Sequence, residues 1–295
     1  MSERKWAVTL PGKLGDILWA MPTVRAIARL KNQPIDIYLP RQFDGIAELL
    51  MLQSYVNRVF SVSEYRWPIR MESPIIPWAP EGFGSEVFHL GHARWPASPL
   101  YQQYKDNFVE RYPDHAFGVL KHFDMKPWIE APRSLERCQS CYSGIPRNSN
   151  IIFYGAGQDW IELKMGVLAT LNKGLIGDDD LAIQLVDQPG GRQQEFAGFL
   201  DGEYVWFDTG GWMETAHLMD HCDSYVGCCA AQWVLACGIG LPCIMFDPAE
   251  GRHHSIFWWD GGGRNVKVLG GDGRPTWDAR HVADAIRHRQ KRKEG

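Results

Sequence analysis

A chain of 295 residues, 45% hydrophobic and 22% charged, has the make-up of a globular protein long enough for two domains and a core that needs no staples. Its net charge of −4 excludes a broadly basic nucleic-acid binder, and no apolar run reaches the roughly 18 residues of a membrane span. Seven cysteines, an odd number with Cys228 and Cys229 adjacent, do not read as a secreted disulfide framework, so reduced thiols and a cytoplasmic location are expected.

Met1-Ser2-Glu3-Arg4-Lys5 leads into the short strand Trp6–Leu10, an apolar run too brief for the core of a secretory signal. Pro11 to Gly15 is a glycine-punctuated turn. From Ile17 to Lys31, apolar residues recur at helical spacing, which makes Asp16 a natural N-cap and puts Pro22 inside the helix as a kink or early-turn residue. Strands are expected at Pro34–Leu39, Arg58–Val62 and Glu86–Leu90, with a helix over Phe43–Leu52. Tyr65 to Gly84 is a long loop rich in Pro and aromatics, the kind that is functional or disordered. Tyr101 to Met125 reads as helices broken at Pro113, and the polar stretch Arg133–Asn150 reads as a domain boundary.

The pattern then restarts. Ile151–Tyr154 is a strand closed by Gly155-Ala156-Gly157, and a helix follows over Glu162–Asn172. Leu181–Val186, Tyr204–Phe207, Ser224–Gly227, Pro242–Phe246 and Val266–Leu269 are further strands. Helices are expected at Met213–His221, Ala230–Cys237 and Asp278–Gln290. Strands alternating with helices predict parallel sheets in an α/β fold. Thirteen tryptophans are many, but indoles fill cores as well as stack on sugars, so the count alone assigns no role.

Several groupings invite chemistry. Asp16 lies between a strand and an amphipathic helix, at the strand ends where open α/β sheets bind ligands, and a carboxylate held there by glycines suits a general base. Its capping role is the competing reading. Gly155-Ala156-Gly157 lets backbone N–H groups approach a phosphate, although Trp160 stands where a dinucleotide fingerprint needs its third glycine. Gly12-Lys13 lacks the spacing of a P-loop, and no G-x-S-x-G elbow exists. Cys138 and Cys141 make at most half a zinc site, and Asp178-Asp179-Asp180 reads as an acidic turn before a metal site. His253-His254 near Asp247 and Glu250 form a polar cluster or a solvated loop. The basic tail, Arg287 to Lys293, is a fraying helix end or a weak contact for anionic lipid or DNA.

Leu14-Gly15-Asp16-Ile17-Leu18-Trp19-Ala20-Met21-Pro22 resembles the opening motif of the heptosyltransferase-like glycosyltransferases of family 9. Ile151–Gly157 is similar to the strand and glycine loop that open that family's second domain. Cys222–Gly227 with Leu235–Pro242 looks like its late donor-site unit, and Phe246–Arg252 fits the loop that follows. The resemblance implies a GT-B-like α/β fold, two Rossmann-like domains facing a central cleft. The acceptor-side domain is placed at 1–145, the nucleotide-sugar-side domain at 146–275, and a C-terminal helix crossing back, with the basic tail, at 276–295.

The same resemblance implies a metal-independent, inverting hexosyl- or heptosyl-type transferase with no cofactor. It takes a nucleotide-diphosphate sugar as co-substrate and a saccharide or other hydroxyl acceptor. Asp16 is then the general base. Gly155, Ala156, Gly157, Lys164, Cys229, Ala230, Ala231 and Arg252 are placed at the donor and its diphosphate. Lys13 and Gly15 are placed on the acceptor side, together with Tyr65 and Trp67, whose place in the aromatic loop with Trp78 rests on composition. The chain departs from the family where the Asp-Thr-Gly triplet falls on Cys229-Ala230-Ala231 and the downstream histidine on Val234. That departure leaves open an altered donor, or a degenerate scaffold that binds a ligand or partner without chemistry. The basic tail and the aromatics leave open a transferase acting on modified DNA.

Overall fold

The computed structural model describes residues 6–10, 12–62, 86–91, 98–133, 150–155, 180–185, 205–207, 211–227, 231–246, 258–274, 276, 278, 280–282 and 284–285, with side chains at all but 86, 150–155, 180–185 and 205–207. The chain divides into two compact units, Met1–Ala131 and Pro132–Gly295. The division falls just ahead of the polar Arg133–Asn150 stretch in which the sequence suggests a boundary.

Unit 1 holds the strands β1 (Trp6–Thr9), β2 (Ile35–Pro40), β3 (Val56–Val62) and β4 (Glu86–His89), all parallel, in the order β3-β2-β1-β4. Its helices are α1 (Leu14–Lys31), α2 (Ala47–Met51), α3 (Leu100–Arg111) and α4 (Pro113–His122). The inner strand β2 is buried along its whole length, as parallel strands covered on both faces are. Helix α1 packs against α3 and α4 and is buried all round from Ile17 to Ala28. Gly118 sets the approach of α4, because a Cβ there would lie 2.3 Å from Leu30 Cδ1 of α1. The left-handed Asn32 (φ 52°) ends α1 and, with Gln33, returns backbone N–H groups to the Ala28 and Arg29 carbonyls.

Pro22 neither breaks nor ends α1. Having no N–H, it leaves the Leu18 carbonyl one turn back without its helical partner. The indole N–H of Trp128 donates to that carbonyl at 3.1 Å. Trp128 belongs to a strap, residues 123–131, that crosses α1 without regular structure of its own. Arg25 of α1 donates to the carbonyls of Pro127 (2.7 Å), Asp124 (3.1 Å) and Lys126 (3.2 Å), and pairs with the Asp124 carboxylate. Gln53 closes a two-way bond with the Glu130 backbone (2.7 and 3.1 Å), and the Tyr55 hydroxyl donates to the Trp128 carbonyl. Trp19, Trp128, Tyr104 and Phe108 fill the space beneath.

Burial acts to raise the Asp124 pKa, but the hydrogen bond from Arg29, the Arg25 charge and the Lys126 N–H outweigh it and hold the carboxyl below its ordinary 3.8. A depressed carboxyl contributes stability that is complete above the unfolded-state pKa and fades as pH falls through the folded-state value. Urea midpoints followed by tryptophan fluorescence should therefore drop below about pH 4, and drop less steeply in Asp124→Asn.

Unit 2 holds β5 (Asn150–Gly155), β6 (Asp180–Leu185), β7 (Val205–Phe207), β8 (Ser224–Gly227), β9 (Cys243–Met245) and β10 (Val266–Lys267). All pair in parallel, in the order β7-β6-β5-β8-β9-β10. Counted from β5, that is 3-2-1-4-5-6, the order of a dinucleotide-binding Rossmann sheet, and unit 1 has the first four strands of the same scheme. Helices α5 (Trp212–Asp220) and α6 (Ala231–Ile239) are the described helices of this unit with defined bounds; residues 280–282 and 284–285 are also helical. Tyr225, Trp233 and Phe246 are its largest fully buried side chains.

Two expectations change. Phe43–Leu52 is not one helix but a 3-10 helix, Arg41–Ile46, inside which Phe43 leaves helical geometry, followed by α2. The cap of α1 is Lys13, and Asp16 is its third residue. Among the described residues no helix is long and apolar enough to cross a membrane, and Cys222, Cys237 and Cys243 are buried free thiols.

Candidate functional site

In a sheet of this topology the strand order reverses between the first strand and the fourth, and the two loops leaving that point diverge to open a crevice. Each unit has one such point, β1 beside β4 in unit 1 and β5 beside β8 in unit 2.

In unit 1 the chain leaves β1 through residues 10–13 and enters α1. The Asp16 carboxylate folds back and accepts the Lys13 backbone N–H at 2.9 Å, the acid half of a capping box. This bond holds the carboxylate, half-buried, over the carboxyl end of β1. Gly12 is buried against it: a Cβ at residue 12 would stand 2.2 Å from Asp16 Cβ and 3.1 Å from Oδ2. Since Asp16 Cβ is fixed to the backbone, no rotamer change relieves that clash, and the turn or the helix start must shift. Gly12→Ala should therefore shift the turn or the start of α1 and cost about 1–3 kcal/mol of stability, read as a lowered thermal midpoint.

Across the β1–β4 pairing stands His89, which the motif reading does not single out. It is the register partner of Thr9, and its Nδ1 lies 3.0 Å from the Thr9 hydroxyl. The His89 backbone N–H donates to the Tyr112 hydroxyl at 2.8 Å, and Arg111 reaches the His89 carbonyl at 3.4 Å. Burial, aided by the Arg111 charge, keeps the imidazole pKa below its ordinary 6.5, so the ring is neutral near pH 7. His89 follows an apolar strand in the sequence, but only the pairing of β4 with β1 brings it to the Asp16 side of the sheet.

In unit 2, Gly155 and Gly227 end the adjacent strands β5 and β8 and are register partners. Two glycines side by side there leave the crevice floor bare of side chains, which suits the close approach of a phosphate to backbone. Helix α6 starts four residues past Gly227, at Ala231. Val234, at the position of the family's histidine, is buried in α6 and belongs to the core.

The structure thus brings Lys13, Gly15 and Asp16 to one strand end in unit 1, and Gly155 and Ala231 to the switch point of unit 2. Tyr65, Trp67, Trp78, Ala156, Gly157, Lys164, Cys229, Ala230 and Arg252 lie outside the described residues, as do Cys138, Cys141, His253, His254 and the basic tail. Among the described residues no group of three or more His, Cys, Asp or Glu is placed to hold a metal ion.

No family model matches the chain, and no curated protein matches it in sequence. Solved structures do match it in shape over nearly the whole length. A glycosyl transferase family 9 protein from Veillonella parvula DSM 2008 superposes with a TM-score of 0.61 at 11% identity, covering 98% of this chain and 97% of its own. E. coli ADP-heptose lps heptosyltransferase II gives a TM-score of 0.58 at 13% identity, covering 99% and 100%. E. coli heptosyltransferase WaaC with ADP-2-deoxy-2-fluoro heptose gives 0.57 at 12%, covering 98% and 99%. With two parallel sheets, each ordered around a switch point, the chain has the GT-B fold of the family 9 glycosyltransferases.

Proposed function

We propose that the protein is an inverting glycosyltransferase that moves a sugar, hexose or heptose, from a nucleotide-diphosphate donor to an acceptor hydroxyl without a metal. The reading is carried by Asp16, a carboxylate fixed by the Lys13 N–H and by the bare Gly12 at the unit 1 switch point. An alcohol is a weak nucleophile, and a positioned carboxylate is a standard remedy. The hydroxyl oxygen attacks the anomeric carbon opposite the diphosphate, and the bond from that carbon to the diphosphate oxygen breaks. Asp16 takes the hydroxyl proton, the nucleoside diphosphate departs, and the configuration inverts.

The donor belongs to unit 2. In this reading the side-chain-free Gly155 and Gly227 let the leaving diphosphate come close to the strand ends, and fixed dipoles at the start of α6 stabilise its developing charge. Backbone recognition fits a chain that has Cys229-Ala230-Ala231 where the family has polar side chains. Lys164 and Arg252 are proposed as the accompanying cations, and Tyr65 and Trp67 as acceptor contacts.

The test starts with ADP, UDP and their sugars in a thermal-shift titration. A true donor nucleotide raises the midpoint, by about 2.7 kcal/mol of added stability at 100 times its Kd. Turnover of the stabilising sugar is then followed with EDTA present, and the anomeric configuration of the product is read by NMR. Binding without hydrolysis or transfer would point instead to a scaffold that has lost its chemistry. Binding of DNA in a salt-dependent manner, with no nucleotide sugar bound, would overturn the reading altogether.

A further inference from the structure

We propose that His89 is an acceptor-positioning residue, presenting its Nε2–H to the incoming acceptor on the same edge of the unit 1 sheet as Asp16. This rests on the transferase reading and deepens it by naming a second polar contact on the acceptor side.

The argument runs through Thr9. Its side chain is nearly buried, at 8% exposure, and its hydroxyl has the His89 Nδ1 as its hydrogen-bond partner at 3.0 Å. A buried hydroxyl donates where it can, because an unmade bond carries the desolvation cost of the group. The acceptor within reach is Nδ1, so Nδ1 is unprotonated and the neutral ring carries its proton on Nε2. The backbone of His89 is held on both sides, its N–H on the Tyr112 hydroxyl (2.8 Å) and its carbonyl reached by Arg111 (3.4 Å). Phe88, the preceding residue, packs against Phe108 and Tyr112 at ring distances of 5.1 and 4.8 Å. Nε2 makes no hydrogen bond within the described residues, and the side chain is half-buried rather than sealed. A donor oriented by Thr9 and left unmatched at the carboxyl end of β4, beside the strand that leads to Asp16, suits one task. It can hold an acceptor oxygen in register for attack.

Two variants and two readouts test this. His89→Ala should raise the KM for methyl glycoside acceptors about tenfold, the worth of one neutral hydrogen bond, and leave the KM for the donor unchanged. His89→Gln, which keeps an N–H in reach, should recover most of the loss. Long-range ¹H–¹⁵N NMR should find the Nε2–H tautomer in the native protein, and Thr9→Val should erase that preference. An unchanged acceptor KM in His89→Ala, an equal rise in the donor KM, or an Nδ1–H tautomer each overturns the proposal. Should the native protein neither transfer nor hydrolyse any ADP- or UDP-sugar, the transferase reading fails. Methyl glycoside titration on the His89 signals then decides His89 alone, with a shift supporting the contact and none overturning it.

Discussion

Asp16→Asn should fold as the native chain does and transfer sugar about 10² to 10⁴ times more slowly, the range that a positioned general base supplies. The substitution is chosen because the proposed function gives Asp16 two roles. As the third residue of α1 its oxygen accepts the Lys13 N–H at 2.9 Å, and an asparagine carbonyl can accept that bond equally well. An amide has no basicity with which to take a proton from an alcohol. The variant therefore keeps the cap and removes the proposed base. Asp16→Ala removes both and should cost about 1 kcal/mol of stability as well. A drop in kcat shared by the two variants, with a thermal shift confined to the second, separates chemistry from architecture. Near-native transfer by Asp16→Asn would mean that the residue is a cap and nothing more.

Arg25→Met should destabilise unit 1 by about 3 kcal/mol and lower its thermal midpoint by roughly 10 °C. The guanidinium is buried and satisfies three backbone carbonyls and a carboxylate of the 123–131 strap at once. Methionine fills similar space but leaves those carbonyls with no donor, and a buried polar group left unpaired costs its full desolvation. Asp124 keeps Arg29, so the loss stops short of an isolated buried charge. Arg25→Lys should fall between, since an ammonium is a point donor that cannot span the fork's partners. Chemical denaturation followed by tryptophan fluorescence reads the effect. A change below about 0.5 kcal/mol, the level of ordinary surface substitutions, would show that the strap is not held through Arg25.

Much of the fold was legible because parallel strands and amphipathic helices announce themselves through apolar runs and helical spacing. β1, α1, β2, β4 and the strands of unit 2 all sit within a few residues of where those patterns put them. The start of α1 was harder. Pro11, Gly12 and Gly15 read as one turn, whereas the turn ends at Lys13 and Gly15 is already helical. Gly12 carries the requirement for a glycine, and the reason is Asp16 rather than backbone freedom. The strap over 123–131 has no periodicity, so nothing in the sequence marks it; its meaning comes from partners about a hundred residues away. The site was half legible for the same reason. Asp16 is local to its motif, but the Thr9–His89 contact and the Gly155–Gly227 pair exist only once strand order is known.

The Trp128 bond to the Leu18 carbonyl also bears on synthesis at the ribosome. Helix α1 is made early, yet its interrupted turn at Pro22 and its buried Arg25 wait for residues 124–128 to emerge. Domains fold as units while the chain is being made, at about 5–20 residues per second, so this first unit stays incomplete for some seconds after α1 is out. A nascent chain arrested short of Asp124 should remain protease-sensitive, and one that has exposed Ala131 should become resistant. Asp16, on the same helix, would then be set only once the last segment of its own unit has appeared.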